Sequence, residues 1–262
     1  MKNICVITGA SSGIGKEFFL QITKDKHFAF DEIWVIARSK DRLLSLAALT
    51  STPLRAIPLD LSREESYEEY AKLLQNEEAR VSLLINCSGY GKFESTEKVG
   101  LPTSLDMIDL NVKGTVAMDM VTLKYMDKGC GIINIASVAA YQPIPYINVY
   151  GATKSFVLNF TRALGVEMKT RGIHVMAVCP FWTKTEFFDR AIKSEADPVV
   201  KKYAAMYDPK DIVARALHDY KRGKSVSLFG FVTKLQLLGV KIMPVSVVMK
   251  VWMSQQKLKG RK

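Results

Sequence analysis

Short runs dominated by apolar, β-branched residues recur along the chain, separated by stretches in which apolar positions return every three or four residues. Residues 3–8, 32–37, 54–59, 82–87, 132–137 and 174–180 are of the first kind and read as strands buried on both faces. Residues 14–23, 62–76, 103–128 and 149–170 are of the second kind and read as helices. Ser62-x-x-Glu65 has the spacing of a capping box at one helix start. Strand and helix alternate, which predicts right-handed crossovers and a parallel sheet of about seven strands with helices on both faces, a doubly wound α/β fold. Nothing along the 262 residues reads as a linker, so one domain over residues 1–230 is expected, followed by an extension over 231–262.

In such a sheet ligands sit outside the carboxyl ends of the strands, and the chemistry-bearing residues cluster there. Gly9-Ala10-Ser11-Ser12-Gly13-Ile14-Gly15 follows the first strand and opens the first helix. Glycines allow a tight turn and close approach of the backbone, and a helix N-terminus attracts an anion, so a dinucleotide pyrophosphate suits this loop in a Rossmann-type domain. Further on, Tyr150 and Lys154 are four apart on one helix, hence on one face, and Ser137 stands thirteen residues before the tyrosine at a strand end. An unperturbed phenol ionises near pH ~10. An adjacent ammonium favours the phenolate, and a serine hydroxyl aimed at the same substrate oxygen polarises a carbonyl or stabilises an alkoxide.

These residues resemble the short-chain dehydrogenase/reductase family. The likeness runs over about residues 3–230, through residues 8–15, Asp60-Leu61, Asn86-Cys87-Ser88-Gly89, Asn111-Val112, Ser137, Tyr150-x-x-x-Lys154, Pro180 and Thr185. It implies that Tyr150 is the general acid/base and that Lys154 lowers its pKa and holds the nicotinamide ribose. It also implies that Ser137 orients the substrate and that Asn111 keeps a water in a proton relay to Lys154. Cofactor contacts are then expected from Gly9, Ser11, Ser12, Gly13, Ile14, Gly15, Asp60, Leu61, Asn86, Gly89, Thr183 and Thr185, besides Tyr150 and Lys154. Two positions depart from the family pattern: Cys87-Ser88 stands inside the Asn-to-Gly motif, and Phe181 follows Pro180 where a glycine is usual.

At the end of the second strand, where an acidic residue would bond the ribose hydroxyls of NAD, the chain carries Ala37, Arg38 and Ser39. A guanidinium binds a 2′-phosphate that a carboxylate would repel, so NADP(H) is the expected cofactor. The lid expected at about residues 183–208 is rich in aromatic, Met and branched residues, as is its approach through Phe181 and Trp182. That composition suits a bulky, lipophilic ketone or secondary alcohol, and the resemblance suggests a hydroxysteroid or bile acid, a 3-oxoacyl thioester or a similar ketone. The same aromatics would serve equally well as ordinary core. A non-catalytic NADP(H) sensor or scaffold at a membrane is the rival expectation, although such a module has no need of the tyrosine.

Cys5, Cys87, Cys130 and Cys179 lack Cys-x-x-Cys spacing and the three histidines form no cluster, so neither a disulfide nor a metal site is expected. No signal peptide is recognisable before the first strand, which points to the cytoplasm. The net charge of +11 is concentrated in one place, because residues 221–262 contain ten Lys or Arg and no Asp or Glu. Apolar residues are interleaved there and Pro244 divides them into two short amphipathic stretches. Three uses remain open: peripheral contact with an anionic membrane, a contact within a homo-oligomer (dimer or tetramer), or a cover for the substrate pocket. Nucleic acid is not an expected partner, since no recognised binding module accompanies the basic stretch.

Overall fold

The computed structural model describes residues 1–192, 199–200 and 202–258, so 193–198 and 201 of the expected lid and 259–262 of the expected extension lie outside the described residues. The chain runs β1 (Lys2–Thr8), α1 (Gly13–Ile22), β2 (Glu32–Ile36), α2 (Lys40–Leu44), β3 (Leu54–Ile57), α3 (Glu65–Asn76), β4 (Ala79–Asn86), α4 (Thr96–Ile108) and α5 (Gly114–Thr122). It continues through β5 (Gly131–Ile135), α6 (Asn148–Glu167), β6 (His174–Val178), α7 (Phe187–Ile192), α8 (Pro209–Lys221), β7 (Val226–Ser227), α9 (Phe231–Ile242) and α10 (Val245–Gln255). All strand pairings are parallel, in the order β3-β2-β1-β4-β5-β6-β7. This is the doubly wound α/β fold expected.

Successive side chains on a strand point to opposite faces, and the two large core clusters separate on that rule. Ile4, Val6, Trp34, Ile36, Leu84 and Ile132 lie in one, while Cys5, Ile7, Ile33, Val35, Leu83 and Ile133 lie in the other. Helices cover both faces, which is why the central strands need unbroken apolar sequence. The strand order reverses between β1 and β4, and their carboxyl ends flank the switch-point crevice.

Two local expectations are corrected. The capping box is not formed: Ser62 Oγ donates to Asp60 Oδ1 at 2.9 Å, and α3 begins at Glu65 without a side-chain cap. The Asp60 carboxylate takes both the Ser62 N–H that Glu65 would have capped and the hydroxyl. The helix expected over 103–128 starts at Thr96, kinks at Gly100 (φ 71°) before Pro102, and passes through a π-helical turn, Asp109–Lys113, before α5 ends at Thr122. All four cysteines are free thiols.

Candidate active site

One continuous cavity of about 830 Å³ runs along the carboxyl ends of the strands. At one end the Gly9–Gly15 loop forms its floor. Gly9 takes φ 65°, and a Cβ there would stand 2.8 Å from the backbone of Cys87 and Ser88; one on Gly15 would stand 2.3 Å from the Gly9 carbonyl oxygen. These contacts let the β1 and β4 turns close on each other, as only glycine permits. The first turn of α1 carries no acidic side chain and Ser12 makes no capping bond, so its N–H groups are free for an anion. Arg38 and Ser39 line the same end, whereas the Asp60 carboxylate is engaged by the Ser62 N–H and hydroxyl. Loop, helix terminus and guanidinium together fit a phosphorylated dinucleotide.

The catalytic candidates meet midway along the cavity. The Ser137 side chain, just past the end of β5, accepts a bond from Ala139 N at 3.1 Å and lines the cavity together with Tyr150. Lys154, one turn along α6 and buried, donates to the Ile135 carbonyl at 2.7 Å with its Nζ 5.9 Å from the Tyr150 ring centre. Burial pushes the Tyr150 phenol up to about 12, with Ser137 pulling the other way, and burial lowers Lys154 to about 8. The ammonium is aimed at a carbonyl, and desolvation rather than Lys154 governs the phenol in this geometry.

Asn111 occupies the π-helical turn, fully buried. Its Oδ1 accepts from Tyr90 N at 3.0 Å, and its Nδ2 donates to Tyr90 O at 2.9 Å and to Thr153 Oγ1 at 3.1 Å. A Cβ on Gly89 would lie 2.8 Å from Asn111 Oδ1 and 3.4 Å from Lys154 Nζ. The amide thus clamps the loop after β4 against α6. Of the residues expected at the site, Asn86 and Asn111 do not line the cavity. Asn86 Nδ2 donates to Asp119 Oδ1 at 2.7 Å and Asn134 Oδ1 at 2.9 Å, which makes it part of a buried polar network beneath the site. Thr183 and Thr185 do line it; Thr183 Oγ1 is bonded to Phe181 O at 2.8 Å, and Thr185 packs over Gly13.

Several residues around the site escaped the sequence reading. A Cβ on Gly91 would stand 2.9 Å from Tyr150 Cδ2 and 3.1 Å from Phe187 Cζ, so the tyrosine ring rests on that glycine. The spacing Gly89-x-Gly91 was the available signal. Phe93 packs edge-on to Tyr150 with ring centres 6.0 Å apart, and Arg42 pairs with Glu186 at 2.8 Å across residues that both line the cavity. Of the residues expected in the lid and its approach, Phe181, Trp182, Phe187 and Phe188 face the cavity, while Val200 and Tyr203 pack in the aromatic cluster behind them. Residues of α9 and α10 complete the wall. Trp252 Nε1 donates to Pro145 O at 3.0 Å and its ring stacks on Trp182, while Gln256 bonds the Lys202 backbone in both directions at 2.8 and 3.0 Å.

The model of the family described as short chain dehydrogenase matches residues 3–196. The chain belongs to the short chain dehydrogenase family. An uncharacterized oxidoreductase of Staphylococcus aureus is 28% identical over 228 residues, 86% of this chain and 94% of that protein. The 17-beta-hydroxysteroid dehydrogenase type 3 of Mus musculus is 29% identical over 209 residues, 75% of this chain and 66% of that protein. Among solved structures, a short-chain dehydrogenase from Sphingobium yanoikuyae in complex with NADPH is 25% identical with a TM-score of 0.75, covering 99% of this chain and 96% of the other. A ketone-specific alcohol dehydrogenase from Comamonas testosteroni shares the fold at 22% identity, with a TM-score of 0.70. In this dehydrogenase the cavity continues past Tyr150 into a wall supplied by the last two helices.

Proposed function

We propose that this short chain dehydrogenase is an NADP(H)-dependent oxidoreductase that interconverts a bulky, apolar ketone and its secondary alcohol. The observation that carries this reading is the convergence of Ser137, Tyr150 and Lys154 on the cavity that also holds the glycine loop and Arg38. Bound NADPH would supply a hydride to the carbonyl carbon. Gly9, Ser11, Ser12, Gly13, Ile14 and Gly15 would hold its pyrophosphate, Arg38 and Ser39 its 2′-phosphate, and Leu61, Gly89, Thr183 and Thr185 its flanks. The NADPH complex of the Sphingobium yanoikuyae relative supports that choice.

Tyr150 then gives its proton to the carbonyl oxygen while Ser137 donates a second hydrogen bond to it. An alkoxide is a far stronger base than a phenolate, so donation runs downhill. A phenol pushed up to about 12 is protonated at neutral pH and so carries the proton to be given. Lys154 returns a proton to Tyr150, and Asn111 acts by holding Gly89 and Tyr90 against α6. Aromatic walls built from Phe93, Trp182, Phe187 and Phe188 favour a large apolar substrate, as does the mouse hydroxysteroid dehydrogenase relative. Exposed Phe156 and Val166 on α6 are available for a dimer or tetramer contact.

Tyr150→Phe tests the reading: NADPH oxidation with ketosteroids, bile acids, 3-oxoacyl thioesters and simple ketones should fall by about 10²–10⁴-fold. NADPH affinity should hold. A variant as active as the parent removes the acid/base role, and a parent that oxidises NADPH with none of these ketones leaves the non-catalytic sensor standing.

A further inference from the structure

The two C-terminal helices have a second face. Along α9, Phe231, Lys234, Leu235, Leu238, Lys241 and Ile242 fall at the spacing that puts them on one side, and all six are exposed. The stripe carries on into α10 through exposed Val245, Val247 and Val251, with Lys250 and Lys257 also in solvent. Phe231 is 79% and Ile242 73% exposed, values unusual for large apolar side chains on one face.

We infer that the outer face of α9 and α10 lies in the interface of an anionic bilayer and opens the substrate cavity toward it. Two observations select this occupant. Residues 221–262 hold ten Lys or Arg and no acid, and the four exposed lysines flank the apolar stripe as they would at a negatively charged headgroup layer. In addition, Val232, Leu235, Met243 and Val251 line the cavity while remaining exposed, so the mouth of the cavity and the apolar stripe share one surface. No helix of the described residues is long and apolar enough to cross a membrane, so the contact is peripheral. A lipophilic ketone dissolved in the bilayer would reach the cavity without passing through water. That last step rests on the proposed function; the membrane contact does not.

The test is flotation of the full chain, without substrate, on vesicles of phosphatidylcholine containing phosphatidylglycerol and on vesicles of phosphatidylcholine alone. The protein should float with the anionic vesicles and be released by raised salt. Phe231→Ser/Leu238→Ser/Ile242→Ser, at positions that do not line the cavity, should float about tenfold less while keeping the parent's circular dichroism and thermal transition. Lys234→Glu/Lys241→Glu should lose preference for the anionic vesicles. The inference fails if the parent does not float, or if the triple variant floats equally. It also fails if sedimentation shows a dimer that the triple variant alone dissolves, which would give this face to a second copy of the chain. None of these readouts depends on turnover.

Discussion

At the scale of single residues, the site depends on what is missing as much as on what is present. Gly91 leaves room for the Tyr150 ring, and an added methyl would stand 2.9 Å from it, closer than carbon atoms tolerate. Gly91→Ala should therefore displace the proton donor and lower kcat by roughly 10- to 100-fold, as ångström-scale misplacement does, with NADPH affinity unchanged. Steady-state kinetics paired with a cofactor titration would check this; an unaltered kcat means that the ring is positioned by other neighbours. Arg38→Ala should weaken NADPH binding by roughly tenfold to a hundredfold, the worth of a charge-assisted hydrogen bond, and leave NADH untouched. Equal effects on the two cofactors would exclude a 2′-phosphate contact. Ser137, Tyr150, Lys154, Arg38 and the glycine loop were legible because their chemistry is tied to fixed spacings. Gly91, Phe93 and Arg42 were not, since their value depends on partners distant in sequence.

Between elements, β4, β5 and α5 are joined by a buried carboxyl. Asp119 receives bonds from Asn86 Nδ2 and Asn134 Nδ2, both at 2.7 Å, and burial raises it to about 7. The folded chain therefore keeps a proton that an unfolded one loses near pH ~4, so stability declines as pH rises from about 4 to 7, and the loss is complete above that. Between pH 5 and 8 the parent should lose on the order of 2–3 kcal/mol that Asp119→Asn does not. Urea unfolding at both values measures it, and parallel losses would sink the assignment. The elements themselves were read best where the sheet dictates them: strands covered on both faces need continuous apolar sequence, and all six expected strands are found. Helix boundaries were read less well. Apolar periodicity marks a buried face but not the hydrogen-bond register, so the Gly100 kink and the π-helical turn that seats Asn111 left no pattern. The backbone N–H of Ser62 had two carboxylates available by sequence, Glu65 and Asp60, and only geometry chose Asp60.

Over the whole molecule, the sheet edges and helices build a crevice at one end, and the chain returns to that end to finish it. The sequence showed a basic, amphipathic tail and left three destinations open. Its inner face turns out to line the cavity, because the aromatic cluster of Trp182 and Tyr203 offers α10 a surface to pack on. That dependence on a distant surface is why periodicity alone could not assign it. One practical result concerns handling of the protein. Trp252 and Gln256 sew the final turn to Pro145 and Lys202, so an affinity tag fused at that terminus tugs directly on the stitching. Met1, 90% exposed at the opposite edge of the strands, is the safer place to attach one.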